Sequence, residues 1–105
     1  MLVRDLATDT GLAERVVATF RAHEVELRRA GIRRLSLFGS VARGDAEHGS
    51  DVDLAAEFDP TALVDLVALE QRLEDIAGRH VDLMAEPVET IRLRATIERD
   101  RVRAF

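Results

Sequence analysis

Residues 38–53 read Phe-Gly-Ser-Val-Ala-Arg-Gly-Asp-Ala-Glu-His-Gly-Ser-Asp-Val-Asp. An apolar run ends at Phe38 and a second one starts at Leu54, so the stretch predicts a strand, a tight turn with a short helix, a polar loop and another strand. Because side chains alternate between the two faces of a strand, Asp51 and Asp53 are expected to project from the same face. The stretch therefore predicts a polar site where the first strand ends and the second begins.

Residue types in this stretch favour binding of a metal and a phosphate. Two neighbouring carboxylates repel each other unless a cation lies between them, and magnesium prefers such hard oxygen ligands. Gly39 and Ser40 stand at the start of the short helix, where backbone N–H groups can hold a phosphate, and Gly39 has no Cβ to block it. The pattern predicts a site for a nucleoside triphosphate. Taken one at a time, these residues also fit a plain turn and surface acids.

Composition limits the classes of protein to which the chain can belong. Its 105 residues are 47% hydrophobic, which predicts one domain over residues 1–105 with a small core that could rely on a partner. The absence of a long apolar run or secretory leader predicts a cytoplasmic protein with no membrane contact. Without cysteine, disulfides and thiolate metal sites are excluded. A net charge of −5 and the lack of tyrosine and tryptophan argue against direct nucleic-acid binding.

Arginine supplies all 15 basic residues, so no lysine nucleophile is available. The arginines cluster within residues 28–34 and again within 92–103. Solvated helix faces explain such clusters in most proteins, and the alternative is a basic patch for a triphosphate or a partner.

Hydrophobic periodicity and breaker residues predict alternating helices and strands around a mixed sheet, an α/β (α+β) fold. Asp59 is predicted to cap the longest helix of the second half, with Pro60 in its first position. Gly31 and Gly78 are expected to end the helices that precede them. The predicted helices cover residues 2–7, 12–30, 40–43, 62–77 and 87–98, and the predicted strands cover 32–38, 52–58, 81–84 and 101–105.

The predicted helix over residues 62–77 carries more apolar side chains than one face requires. A helix that covers a sheet needs a single apolar stripe. The excess is therefore either additional core or an interface with another chain. The apolar side chains of this segment are Leu63, Val64, Leu66, Val67, Leu69, Leu73 and Ile76.

The combined motif resembles the nucleotidyltransferases of the DNA polymerase β superfamily, whose signature is Gly-Ser followed after about ten residues by Asp-x-Asp. The minimal nucleotidyltransferases (MNT) are the most similar group, and the resemblance extends over roughly residues 12–105. It implies the polymerase β-like fold. The matching positions are Phe38, Gly39, Ser40, Ala42, Arg43, Gly44, Ser50, Asp51, Asp53 and Leu54.

The resemblance also implies roles for these residues. Asp51 and Asp53 would hold one or two Mg²⁺ ions, and Asp82, on a neighbouring strand, would be the third catalytic and metal-binding carboxylate. Gly39 and Ser40 would bind the phosphates of ATP. Arg43 and Ser50 would belong to the same nucleotide-binding set. Arg43 could contact a phosphate or brace the loop by pairing with an acid such as Asp51, and Ser50 could cap or orient the carboxylates, or simply end the loop.

The sequence alone assigns no histidine to the metal site. His48 lies in the motif loop, where a solvated histidine is the more common case. His23 and His80 have no second histidine at ligand spacing.

Stand-alone minimal nucleotidyltransferases resemble antitoxins of toxin–antitoxin modules whose toxin is a HEPN-domain ribonuclease. This implies transfer of AMP from ATP to a hydroxyl of the toxin, expected to be a tyrosine, as in a type VII-like antitoxin. One alternative is an antitoxin that neutralises its partner by binding and occlusion without catalysis. Another is the nucleotidylating subunit of an aminoglycoside-type transferase.

Overall fold

The computed structural model describes residues 11–47 and 49–105, so the helical turn predicted at 2–7 lies outside the described residues. Five helices and four strands follow one another along this part of the chain. They are α1 (Leu12–Ala22), α2 (Glu24–Arg29), β1 (Ile32–Phe38), α3 (Gly39–Arg43), β2 (Val52–Phe58), α4 (Leu66–Ala77), β3 (Val81–Glu86), α5 (Ile91–Asp100) and β4 (Val102–Arg103).

The four strands form one mixed sheet in the order β3-β2-β1-β4. β1 runs antiparallel to both β2 and β4, whereas β2 and β3 are parallel. The predicted α+β class with a mixed sheet is confirmed, and the predicted bounds of β1 and β2 agree with the structure.

The two faces of the sheet are covered to different extents. Helices α1, α2 and α4 pack on one face, which we call the covered face, and form the main core with β-strand side chains such as Leu35, Leu54 and Val81. On the opposite face a smaller cluster joins Phe38 and Ala55 to Ile97 of α5, together with Val88 and Leu93 at its edge. We call this second one the α5 face.

The predicted helix over residues 12–30 is divided at His23. The backbone N–H of His23 bonds to the carbonyl of Phe20, three residues back, and its ring Nδ1 lies 3.0 Å from the carbonyl oxygen of Thr19. These contacts tighten the turn, so α1 ends at Ala22 and α2 starts at Glu24.

The prediction that Asp59 caps the next helix is wrong. Its carboxylate accepts hydrogen bonds from the backbone N–H and the hydroxyl of Thr61, at 2.9 and 2.8 Å, and so closes a local turn. Helix α4 begins later than predicted, at Leu66, because Asp65 is the residue whose carboxylate accepts from the N–H of Ala68.

The predicted helix start at Pro87 is also wrong. β3 extends beyond the predicted end at Met84, because residues up to Glu86 stay paired with β2. The chain therefore leaves the sheet at Pro87, and α5 begins at Ile91 after Thr90. Among the described residues, no helix has the length and apolar character needed to cross a membrane.

The excess of apolar side chains at the start of α4 lies on the surface. Leu69 and Leu73 are buried, but Leu63 is fully exposed and Leu66 and Val67 are 52% and 83% exposed. We call these three residues the α4 apolar surface. Of the two explanations left open by the sequence, core burial therefore applies to Leu69 and Leu73 and not to this surface.

We expect Leu73→Ala to lower the free energy of unfolding by about 2–5 kcal/mol, because it removes a fully buried side chain from the core under the sheet. Leu66→Ala, on the same helix but half-exposed, is the matched control and should cost less than about 1 kcal/mol. Urea denaturation measures both values, and equal losses would contradict the placement of α4.

Candidate active site

The three predicted metal-binding aspartates lie together on the α5 face. Asp53 of β2 is opposite Phe38 in β1 and opposite Asp82 in β3. Residues paired in this way point to the same face of the sheet. Asp51 precedes β2 by one residue and is two residues from Asp53, so it continues the same alternation. The order of strands thus brings together carboxylates that are about thirty residues apart in sequence.

The charges of these carboxylates act on one another. Partial burial of Asp53 raises the pKa of its carboxyl group, and the negative charges of Asp82 and Asp51 raise it further. The guanidinium of Arg43 acts in the opposite direction and is the smallest of the four effects. Ionised Asp53 is therefore destabilised in the metal-free protein, and a bound cation would relieve this repulsion.

Gly39 is required by its contact with Asp53. The glycine has a φ of +76°, in the left-handed region, and a Cβ built on it would collide with Oδ2 of Asp53. The sequence suggested that the missing Cβ leaves space for a phosphate. The structure adds a second reason, since the same space is already used by the carboxylate.

Backbone hydrogen bonds shape the turn and the loop around this site. The carbonyl of Ser40 accepts the N–H groups of Gly44 and Asp45, each at 3.1 Å, which closes α3. The hydroxyl of Ser50 accepts the N–H of Glu47 at 3.0 Å, and its carbonyl accepts from Arg79 at 3.2 Å. Ser50 therefore holds the loop before Asp51. Of the roles that the sequence left open for Ser50, these hydrogen bonds match capping.

Arg43 is anchored by two acids other than Asp51. Its Nη1 lies 2.8 Å from Oδ2 of Asp100, and its Nε lies 3.1 Å from Oδ2 of Asp45. The Asp100 side chain is almost fully buried at the end of α5. Hydrogen bonds from Arg99 first, and then from Arg43, lower the pKa of Asp100 despite its burial. The guanidinium of Arg43 is thus fixed in place while 41% of its side chain stays exposed.

His80 joins the acidic group, although the sequence gave it no metal. Its Nδ1 lies 3.3 Å from Oδ2 of Asp51, and its Nε2 lies 3.5 Å from Oε2 of Glu74. Potential ligand atoms of Asp51, His80 and Asp82 all lie within 4.8 Å of one another. The signal for His80 was its position two residues before Asp82, which places both side chains on one face. His48 lies outside the described residues.

Comparisons with known proteins identify the family of the chain. A family model described as a nucleotidyltransferase domain matches residues 21–104, a span that contains every predicted site residue. Protein adenylyltransferase MntA of Thermococcus cleftensis is 40% identical over 73 residues, which cover 68% of this chain and 74% of that protein.

Solved structures show the same architecture. A proposed minimal nucleotidyltransferase superposes with a TM-score of 0.71 at 34% identity, over 86% of this chain and 93% of the other. An MNT antitoxin in complex with a tri-AMPylated HEPN toxin of Shewanella oneidensis gives a TM-score of 0.58, over 85% of this chain and 71% of the other. Its identity is 19%, so the second likeness shows the fold alone.

We expect Asp53→Asn to raise the thermal stability of the protein in metal-stripped buffer at neutral pH, because asparagine cannot take up the destabilising charge. The pKa of Asp53 in the folded protein lies above its ordinary value of 3.8, so ionisation of this group lowers stability as the pH rises. The advantage of the variant should therefore be absent at the acidic end, develop as the pH rises from about 4 through the raised pKa, and persist above it.

Glu89→Gln is the control for this measurement, because Glu89 is an exposed carboxylate away from the acidic group. Thermal unfolding followed by circular dichroism between about pH 3.5 and 7.5 covers the range. Addition of Mg²⁺ should stabilise the wild-type protein more than Asp53→Asn. A variant that is less stable than wild type throughout would show that the repulsion is not significant.

Gly39→Ala should lower the midpoint of thermal unfolding more than Gly44→Ala. Both glycines have a positive φ, +76° and +83°, so both substitutions carry a similar backbone strain of about 1–2 kcal/mol. Only the Cβ at position 39 meets another atom, since nothing lies within 4 Å of a Cβ at Gly44. Equal midpoints for the two variants would mean that Asp53 moves aside at little cost.

Proposed function

The chain is a nucleotidyltransferase of the nucleotidyltransferase domain family, and we propose that it transfers AMP from ATP to a tyrosine hydroxyl of a partner HEPN toxin. The observation that carries the proposal is that Asp53 lies in register with Asp82 and against Gly39, while ligand atoms of Asp51 and Asp82 lie within 4.8 Å of each other. The identity of 40% to a protein adenylyltransferase supports a protein as the acceptor.

The donor set fits magnesium. Carboxylate oxygens are hard ligands, and two or three of them suffice because Mg²⁺ keeps water and phosphate oxygens in its shell. The raised pKa of Asp53 is a measure of the repulsion that a cation at this position would remove. When bound, magnesium neutralises the charge that develops on the phosphates. Asp51, Asp53 and Asp82 would hold it, and the imidazole of His80 is close enough to Asp51 to orient that carboxylate.

Phosphates of ATP would lie against the turn that starts α3. The backbone of Gly39 and the backbone N–H and hydroxyl of Ser40 are the donors available there. Arg43 adds a positive charge whose position is fixed by Asp100 and Asp45, so it can contact a phosphate with little further ordering. Bracing and phosphate contact are compatible roles for the same side chain.

In the reaction, the acceptor oxygen forms a bond to the α-phosphorus of ATP, and the bond from that phosphorus to the bridging oxygen breaks. Pyrophosphate leaves with the electron pair of this bond. Asp82 lies at the start of β3 beside Asp53 and would accept the proton of the attacking hydroxyl. Most of the rate enhancement in this chemistry comes from positioning and charge neutralisation.

The α4 apolar surface favours a protein as the acceptor. Leu63, Leu66 and Val67 together expose more apolar area than isolated surface residues do. The solved complex of an MNT antitoxin with a HEPN toxin has the same fold as this chain in its antitoxin component. These two observations support a HEPN protein as the partner.

The same surface also favours a second function, neutralisation of the partner by binding alone. An antitoxin of this kind would occlude its toxin without modifying it. Three acidic side chains that destabilise one another are a cost that a protein acting only by binding does not need to carry, so we rank this function second.

If a HEPN protein is encoded beside this chain, we expect intact-mass spectrometry to show the addition of one or more AMP groups to it after incubation with this protein, ATP and Mg²⁺. Asp53→Asn should abolish the addition, and Glu89→Gln, which changes a distant charge, should leave it intact. An unchanged mass together with a stable complex would overturn the catalytic proposal and leave occlusion.

A further inference from the structure

A second charged site lies at the opposite end of the sheet from the aspartates. Arg34 is opposite Glu57 in the β1–β2 pair, whereas Phe38 is opposite Asp53. Four residues of strand separate the two positions, a distance of about 13 Å. A pocket of about 390 Å³ opens at this end. It is lined by Arg28, Arg33, Arg34, Glu57, Arg103 and Phe105.

Charge in this pocket is strongly unbalanced. Four arginines face a single carboxylate, Glu57, and the shortest approach of Arg34 to it is 3.8 Å. Arg33 and Arg103 form no ion pair and no side-chain hydrogen bond with any residue in 11–47 or 49–105. The charge of Arg33 reaches Asp59, but only as the smallest of the effects that lower the pKa of Asp59, after hydrogen bonds from Thr61.

Several other arginines among the described residues form an ion pair, whereas Arg29 and Arg92 form none but do not line this pocket. Arg72 is paired with Glu26, Arg101 with Glu86, and Arg43 with Asp100. A protein with a net charge of −5 has enough carboxylates to pair its arginines. Four arginines converge here on one concave position lined by a single carboxylate, and two of them, Arg33 and Arg103, have no ion-pair partner among the described residues, which indicates a site for an anion.

Two features make this pocket an organised site. Arg28 is held by Glu24 at 2.7 Å and by the carbonyl of Arg33 at 2.6 Å, and its guanidinium lies 4.9 Å from the centre of the Phe105 ring. Neither Arg28 nor the ring needs to be ordered again when a ligand binds. Guanidinium groups match the oxygens of phosphate in a bidentate manner.

We propose that this pocket binds a polyphosphate group, either free or as part of a nucleotide, at a site separate from the aspartates. The volume of this open pocket is in the range of small-ligand pockets and suits a ligand of mononucleotide size. An extended polyanion is disfavoured because the overall negative charge of the protein repels it beyond the pocket. The proposal does not depend on transfer of AMP to a toxin.

Binding is tested in metal-stripped buffer at low salt, since phosphate binding at the aspartates depends on a cation and binding at arginines does not. Tripolyphosphate and ATP are added separately to ¹⁵N-labelled protein. We expect saturating amide shifts at Arg33, Arg34, Arg103 and Phe105 with both probes, or with ATP alone if the pocket requires the nucleoside. The two probes thus distinguish free polyphosphate from a nucleotide.

The double variant Arg33→Gln, Arg103→Gln should weaken binding at least roughly tenfold, because hydrogen bonds to charged groups are lost. Arg29→Gln, Arg92→Gln removes the same charge from two exposed arginines that do not line the pocket, and should change the affinity less than about twofold. Arg33→Lys, Arg103→Lys keeps the charge without the bidentate geometry and should give an intermediate affinity.

Three results would overturn the proposal. One is the absence of shifts at the pocket with either probe, and another is an equal loss of affinity in the control double variant, which would indicate unspecific attraction. The third is a short RNA oligonucleotide that shifts the same amides at lower concentrations than ATP does, because this would assign the pocket to a nucleic-acid strand.

Discussion

Repulsion among three carboxylates on one face of a small sheet is the constraint on which the rest of the candidate site depends. Asp53 is central to it, because it is paired in register with Phe38 on one side and with Asp82 on the other. Strand β2 lies inside the sheet, so its backbone is fixed from both sides and Asp53 cannot move away from its neighbours. The close approach of Gly39 to the same carboxylate also prevents Asp53 from moving towards the turn at the start of α3. A rigid scaffold can in this way hold charges together that would separate on a flexible loop.

The last third of the described chain stabilises this arrangement from a distance. Arg101 bonds to both carboxylate oxygens of Glu86, at 2.9 and 2.7 Å, and also to the hydroxyl of Ser36 at 3.1 Å. It therefore connects the end of α5 to both β3 and β1 across the α5 face. Asp100, the residue before it, holds Arg43 at the end of α3. Two neighbouring residues thus link helix α5 to the edge strand and to the turn beside the aspartates.

The sequence predicted the strands and the site better than it predicted where helices start. β1 and β2 were predicted correctly, because their apolar segments are too short for most helices and are bounded by Gly31 and Gly39 or by Asp51 and Asp59. Asp59 and Asp65 are both residue types that can cap a helix. Asp59 bonds to Thr61 in a local turn instead, so Asp65 is the residue that caps α4. That choice depends on how the chain leaves β2, which local sequence does not encode. The contact of Arg43 with Asp100, 57 residues apart, depends on tertiary packing in the same way.

Electrostatics of the α5 face would allow an acidic protein to attract the anionic substrate proposed for it. The aspartates alone would repel ATP, and the net charge of −5 adds to this effect at long range. Arg43 stands beside them, held by Asp45 and Asp100 with 41% of its side chain exposed, and Arg34 lies about 13 Å further along the same sheet. Screening at physiological salt limits each charge to about 8 Å, so each end of the face presents its own local potential. An anion therefore approaches through the arginines, while the aspartates become attractive to phosphate only after a cation has reversed their local charge.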